Sequence, residues 1–207
     1  LLKICYARLA LQAGKFEINM RLGDMAENID NRIKFFEVSA GDKKIKLERF
    51  ISPNVPKVAL FDTDRIKEVL NNLLSNALKF TKANEVVSIL AFAHNVGVSV
   101  ESEIKKIKFN LPAPLPEEIF AKFPNSLVVV VSHPDEGIPK EQIGELFNKF
   151  KQLNNKEFIS NVKGTGLGLA IVKGIIEEHK GHVGAVSEIG IGSAFYFVLP
   201  LLTAEKV

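Results

Sequence analysis

Four polar residues, Glu68, Asn72, Asn76 and Lys79, recur three or four positions apart within an amphipathic stretch. At about 100° per residue they share one arc of a helix. Asparagine is a poor helix former, so two of them one turn apart suggest a task other than helix stability. An asparagine carbonyl is a hard neutral oxygen that can ligate Mg²⁺ directly or through its waters, and a lysine one turn further on can reach phosphate oxygens. Taken alone, the stripe reads as either a solvated helix face or a metal and phosphate site. A second element is Gly164-Thr165-Gly166-Leu167-Gly168-Leu169-Ala170-Ile171. Alternating glycines let the backbone approach a ligand, and the helix that follows presents unpaired N–H groups to an anion. Leu169 stands where a Walker-type loop would have lysine, and no acidic ribose reader follows at Rossmann spacing.

These residues need a frame. The pattern predicts a helix over 64–80 with Ile66, Val69, Leu70, Leu73, Leu74 and Ala77 on its core arc, and another over 167–179. Asp24 reads as the N-cap of an earlier helix with an apolar face of Met25, Ile29, Ile33 and Phe36, ending near Ala40-Gly41. Residues 1–13 carry helical spacing that stops at Gly14-Lys15. Strands are expected at 44–51, 57–61, 86–93, 127–132, 182–187 and 193–199. The fold class is therefore α/β, a mixed sheet with helices covering one face. Residues 101–126 hold four prolines with weak periodicity and read as an insertion between two strands, dispensable for the fold. The competing reading is that its apolar residues, Phe109 and Phe120 among them, cover the sheet.

Composition bounds the rest. With 207 residues, 46% hydrophobic and 25% charged, the chain is globular and has room for one domain plus an attached element. A net charge of +3 spread evenly gives no case for nucleic acid or a membrane surface. Cys5 is the sole cysteine, so no internal disulfide forms and a reducing, cytoplasmic setting is expected. No apolar run reaches the roughly 20 residues of a membrane span. The chain opens without Met and reads as a fragment of a longer protein.

Four stretches then converge on one family. Asn71 to Thr81 closely resembles the N box of bacterial sensor histidine kinases, and Gly164 to Ile171 their second glycine box. Leu146-Phe147-Asn148-Lys149-Phe150 is similar to their phenylalanine box, and Gly190-Ile191-Gly192-Ser193-Ala194-Phe195 to their final glycine motif. All four occur in family order, across roughly residues 64 to 200.

The resemblance implies the Bergerat ATP-binding fold, an α/β sandwich holding ATP or ADP with Mg²⁺ under a mobile lid. It implies that Asn76 ligates Mg²⁺, that Asn72 and Lys79 contact phosphates, and that Glu68 helps polarise the metal site. Phe80 would lie near the base, or else pack in the core. Gly164, Thr165, Gly166, Leu167, Gly168 and Leu169 would form the phosphate cradle, and residues 151–163, with Lys151, Lys156 and Lys163, the lid. Residues 1–18 would end a dimerisation and phosphoacceptor hairpin, with the catalytic domain at 19–207. The partners implied are a response regulator, that upstream hairpin domain and a second copy of the full-length protein, which could be membrane-anchored.

Two departures stand out. The first glycine box of the family reads Asp-x-Gly-x-Gly-Ile, and its Asp accepts a hydrogen bond from the adenine amino group. Here the stretch is His133-Pro134-Asp135-Glu136-Gly137-Ile138-Pro139, which puts His133 at the acid and Asp135 at the first glycine. Nor does any of the four histidines stand in the His-Glu/Asp-x-x-x-Pro setting of a phosphoacceptor. The leading expectation is a kinase domain that phosphorylates a histidine outside this chain. The rival is a pseudokinase signalling module with weak or no nucleotide binding. A third reading, an anti-sigma serine kinase or gyrase-type ATPase, fits the hairpin-like start less well.

Overall fold

The computed structural model describes residues 17–148 and 166–201. The helix read over 1–13, the lid and the end of the phenylalanine box lie outside the described residues. Among the described residues the chain runs β1 (Arg21–Gly23), α1 (Met25–Asp42), β2 (Lys46–Ile51), β3 (Ala59–Phe61), α2 (Thr63–Phe80), β4 (Val86–His94), α3 (Val100–Lys106), α4 (Glu117–Lys122), β5 (Ser126–His133), α5 (Lys140–Ile143), α6 (Gly168–Glu178), β6 (His182–Glu188) and β7 (Gly192–Pro200). None of these helices is long and apolar enough to cross a membrane.

Five strands form the main sheet in the order β2-β4-β5-β7-β6. The β2–β4 pair is parallel and the others are antiparallel, which makes the sheet mixed. The strand expected at 57–61 forms as β3 but leaves this sheet, pairing with the short β1, which sequence patterning did not reveal. Asp24 caps α1 by accepting the Glu27 N–H at 3.1 Å.

Side-chain alternation splits β4, β5 and β7 between two cores. Ile89, Val129, Val131 and Phe197 face α1, α2 and α6, where the expected core arc of α2 is fully buried. Leu90, Phe92, Val128, Val130 and Tyr196 face the other way. A strand buried on both faces reads as a continuous apolar run, as Leu127 to Val131 does. The second face therefore needs its own cover, and residues 95–125 supply it. Val100 and Ile104 of α3, Phe120 of α4, and Phe109 and Leu115 between them pack onto it. The segment read as dispensable is a lid on half of the core, and its two short helices escaped notice because prolines and brevity obscure their periodicity.

The end of α6 is tied to the start of α2 by one imidazole. His179 Nδ1 donates to the Ile175 carbonyl at 2.8 Å, so Nε2 is free to accept the Asp62 N–H at 3.0 Å. Asp62 in turn caps α2, accepting the N–H groups of Asp64 and Arg65 at 3.0 Å each, and takes the Asn19 N–H at 2.7 Å. This arrangement needs neutral His179.

Two outcomes follow. Phe120→Ala should cost about 3–5 kcal/mol, the usual cost of emptying an aromatic core site, and a Gly-Ser replacement of 95–125 should lower Tm far more; an unchanged Tm by calorimetry would remove the covering role. Burial pushes the pKa of His94, His179 and His182 below the ordinary 6.5. The unfolded chain then takes up these protons first as acid is added, so stability is fully present above pH 6.5 and is lost as pH falls below it. A Tm that holds steady or rises from pH 7 to 5 would contradict this.

Candidate nucleotide site

The polar stripe sits on α2 as expected, opposite the arc that anchors this helix to the sheet. Asn72 is oriented by its own helix: its Nδ2 donates to the Glu68 carbonyl at 2.9 Å, leaving Oδ1 directed elsewhere. That oxygen lies against the start of α6, where a Cβ placed on Gly168 would come within 3.0 Å of it. The N box and the second glycine box thus meet in space. α6 begins without a side-chain cap, so among the described residues no side chain takes up its first N–H groups. Gly166 just before it adopts φ +68°, a left-handed turn that suits glycine. Leu167 is buried in the core and Leu169 packs at its margin, which fixes the turn from below. Gly164 and Thr165 lie outside the described residues.

Asn76 lies one turn beyond Asn72 on the same stripe, half-buried. Lys79 follows, its Nζ 4.9 Å from the centre of the Phe80 ring, and burial pulls its pKa below the ordinary value. Phe80 is 47% exposed, so core packing is not its role. The Glu68 carboxylate is paired with Arg65 at 3.0 Å. Among the described residues no group of three or more His, Cys, Asp or Glu could hold a metal by itself. Any Mg²⁺ here would be held by neutral oxygen such as that of Asn76, completed by phosphate and water, which is how this ion is commonly bound with nucleotides.

The first glycine loop departs from the family pattern in a concerted way. His133 ends β5, 3% exposed, on the same side as Val129 and Val131, and its ring stacks parallel to Phe195 at 6.1 Å. Its Nε2 lies 3.1 Å from Asp135 Oδ2, out of line for a directed hydrogen bond, and Nδ1 has no hydrogen-bond partner among the described residues. Asp135 Oδ1 accepts the Gly137 N–H at 2.8 Å and the Ser193 hydroxyl at 2.9 Å. Burial pushes this carboxyl up, but the His133 imidazole, the Gly137 amide and the Ser193 hydroxyl together bring it below its ordinary value.

The β6–β7 hairpin clamps this loop. Gly137, at φ +78°, leaves no room for a Cβ, which would meet the Glu188 carbonyl. Ser187 Oγ accepts the Ile138 N–H at 2.8 Å and donates to the Gly192 carbonyl at 2.7 Å, while the Gly190 N–H bonds the Glu136 carbonyl at 3.0 Å. Ser187 and Ser193 hold this loop, yet neither was singled out from sequence; an isolated serine in a strand carries no signal of its own. Leu146 and Phe147 of the phenylalanine box are buried, with Phe147 edge-on to Phe195 at 6.5 Å.

Two observations fit a nucleotide: the glycine space at the uncapped start of α6, and a buried imidazole nitrogen without a partner where the family reads adenine. Replacing His133 by Asp together with Asp135→Gly should raise ATP affinity, and its selectivity over GTP, by about 1–3 kcal/mol, since a buried polar partner left unsatisfied costs that much. No gain in calorimetric affinity would show that the native loop already reads the base.

The model of the histidine kinase-, DNA gyrase B- and HSP90-like ATPases matches residues 61–203. Hybrid signal transduction histidine kinase B of Dictyostelium discoideum is 31% identical over 196 residues, which is 92% of this chain and 8% of that protein. The chain spans about a quarter or less of the curated relatives it matches first. Among solved structures, full-length ShkA in complex with AMPPNP superposes with a TM-score of 0.71 at 22% identity, covering 98% of this chain and 36% of that one. Histidine kinase ThkA in complex with the response regulator TrrA gives 0.65 at 21% identity, covering 99% of this chain and 49% of that one. With the matched span running from β3 through β7 and both asparagine and glycine boxes inside it, the chain belongs to the histidine kinase-, DNA gyrase B- and HSP90-like ATPase family, as an ATP-binding catalytic domain of the histidine-kinase kind.

Proposed function

We propose that the α2 stripe and the start of α6 form the ATP site of this domain, and that the whole protein moves the γ-phosphoryl group to a histidine outside this chain and then to a response regulator. The observation that carries this reading is the approach of Asn72 Oδ1 to Gly168, which puts a polar side chain beside the open N–H groups of a helix start. Asn76 would hold Mg²⁺, whose charge offsets that of the phosphates during transfer. The residues of the chain position and neutralise more than they react. Asn72 and the α6 amides receive phosphate oxygens, and Lys79, partly desolvated, gains from an anion placed beside it. Glu68, paired with Arg65 one turn before Asn72, would help polarise the metal site. His133 meets the base edge and Phe80 offers it an apolar face. Gly164, Thr165 and the lid lysines would complete the enclosure, and residues 1–18 would end a hairpin that dimerises the full-length protein.

Three of the four histidines support an acceptor elsewhere, the fourth, His182, being half-buried on β6. His94, His133 and His179 are all 5% exposed or less, and His179 spends both nitrogens on backbone groups. The response regulator as partner draws on ThkA, which is solved in complex with one.

Asn76→Ala should abolish magnesium-dependent ATP binding, measured by calorimetry, while leaving Tm within about 1 °C, because a half-exposed polar truncation costs little stability. Unchanged magnesium-dependent affinity in the folded variant would remove Asn76 from the site.

A further inference from the structure

On the face of the sheet away from α1, α2 and α6, the chain lines an open pocket of about 330 Å³, at the small end of ligand pockets. Its floor is Ser88 of β4 and Ser132 of β5, directly opposite each other in the antiparallel ladder. Neither hydroxyl has a hydrogen-bond partner among the described residues, although Ser132 is buried. Both oxygens are open to the pocket and so available to a ligand's hydrogen bond. The wall is aromatic and aliphatic: Phe50 and Phe109 meet edge to face at 5.1 Å, with Leu111 beside them.

Lys108 supplies the charge. Among the described residues the lining holds no Asp or Glu, Lys108 is its only lysine or arginine, and Lys108 has no carboxylate partner. Its backbone is unusual as well. At φ 55° it ends α3 in the left-handed position, its N–H bonding the Lys105 carbonyl at 3.0 Å and the Phe109 N–H bonding that of Ile104 at 3.4 Å. Glycine is the ordinary residue at such a helix end, but Lys44 and Lys180 end their helices in the same conformation, so it is the place of Lys108 at the pocket that singles it out.

We propose that this pocket binds a small aromatic carboxylic acid bearing a hydroxyl at its far end. Lys108 takes the carboxylate, the ring lies against Phe50, Phe109 and Leu111, and the hydroxyl pairs with Ser88 and Ser132. The site is separate from the ATP site, on the opposite face of the sheet, but His133 and Pro134 also border it, so its occupant rests against the first glycine loop.

The test is calorimetric or NMR titration of the chain with 4-hydroxyphenylacetate, 4-hydroxyphenylacetamide and phenylacetate. The account expects saturable binding of the first at millimolar concentration or below, with the amide and the dehydroxylated acid each weaker by about tenfold or more. Lys108→Gly suits the left-handed position and should keep or raise Tm, yet bring the acid down to the affinity of the amide. Ser132→Ala should bring it down to that of phenylacetate. No saturable binding, equal affinity for acid and amide, or a Lys108→Gly variant that binds as the native chain does would overturn the proposal.

Discussion

The space left by one missing methyl group governs this site. Gly168 opens α6 with no side chain, and the room this leaves is bounded by Asn72 Oδ1 at a distance that a Cβ could not share comfortably. Two helices can come this close only if both are held from behind. α2 is held by a continuous arc of buried side chains, Ile66 through Ala77, against the sheet, and α6 by Val172, Ile175 and Ile176. Burying one face of α2 fixes its rotation, and the rotation aims Glu68, Asn72 and Asn76 together. His179 then locks the far end of α6 to the cap of α2, so the spacing between the helices is set at both ends.

The first glycine loop shows a second constraint. Against the family pattern a carboxylate is lost at 133 and one gained at 135, and the structure brings the two positions to 3.1 Å. They act as one change: the acid has moved two residues along the loop, where Gly137 and Ser193 satisfy it, and an imidazole stands in its old place. The hairpin that clamps the loop leaves no space for a Cβ at Gly137 or Gly192, so the loop cannot drift to restore the usual arrangement.

The parts of the fold legible in sequence were those with unbroken periodicity. The arc of α2, the apolar run of β5 and the cap at Asp24 each follow from a local rule, and each formed within a few residues of its expected bounds. The pairing of β3 with β1 was not legible, because strand partners are set by long-range topology and three residues are too few to show alternation. The covering role was legible only as the alternative to a dispensable insertion over 101–126, since an apolar side chain in a proline-rich stretch does not declare what it packs on. In the candidate site, the asparagines and glycines stood out in sequence because their chemistry is unusual for their positions, and the structure brings Asn72 against Gly168. Ser187 and Ser193 did not stand out, because their importance lies in what lies across the hairpin from them.

The central claim is that the polyphosphate and its metal lie between the stripe of α2 and the start of α6. Mn²⁺, which takes oxygen ligands like those of Mg²⁺, broadens NMR signals of nearby nuclei, so adding trace Mn²⁺ to the chain with ADP reports the metal's position directly. The account predicts broadening centred on the side-chain amides of Asn72 and Asn76 and on the backbone amides of Gly166 to Leu169. Broadening centred elsewhere, or none that depends on ADP, would contradict it.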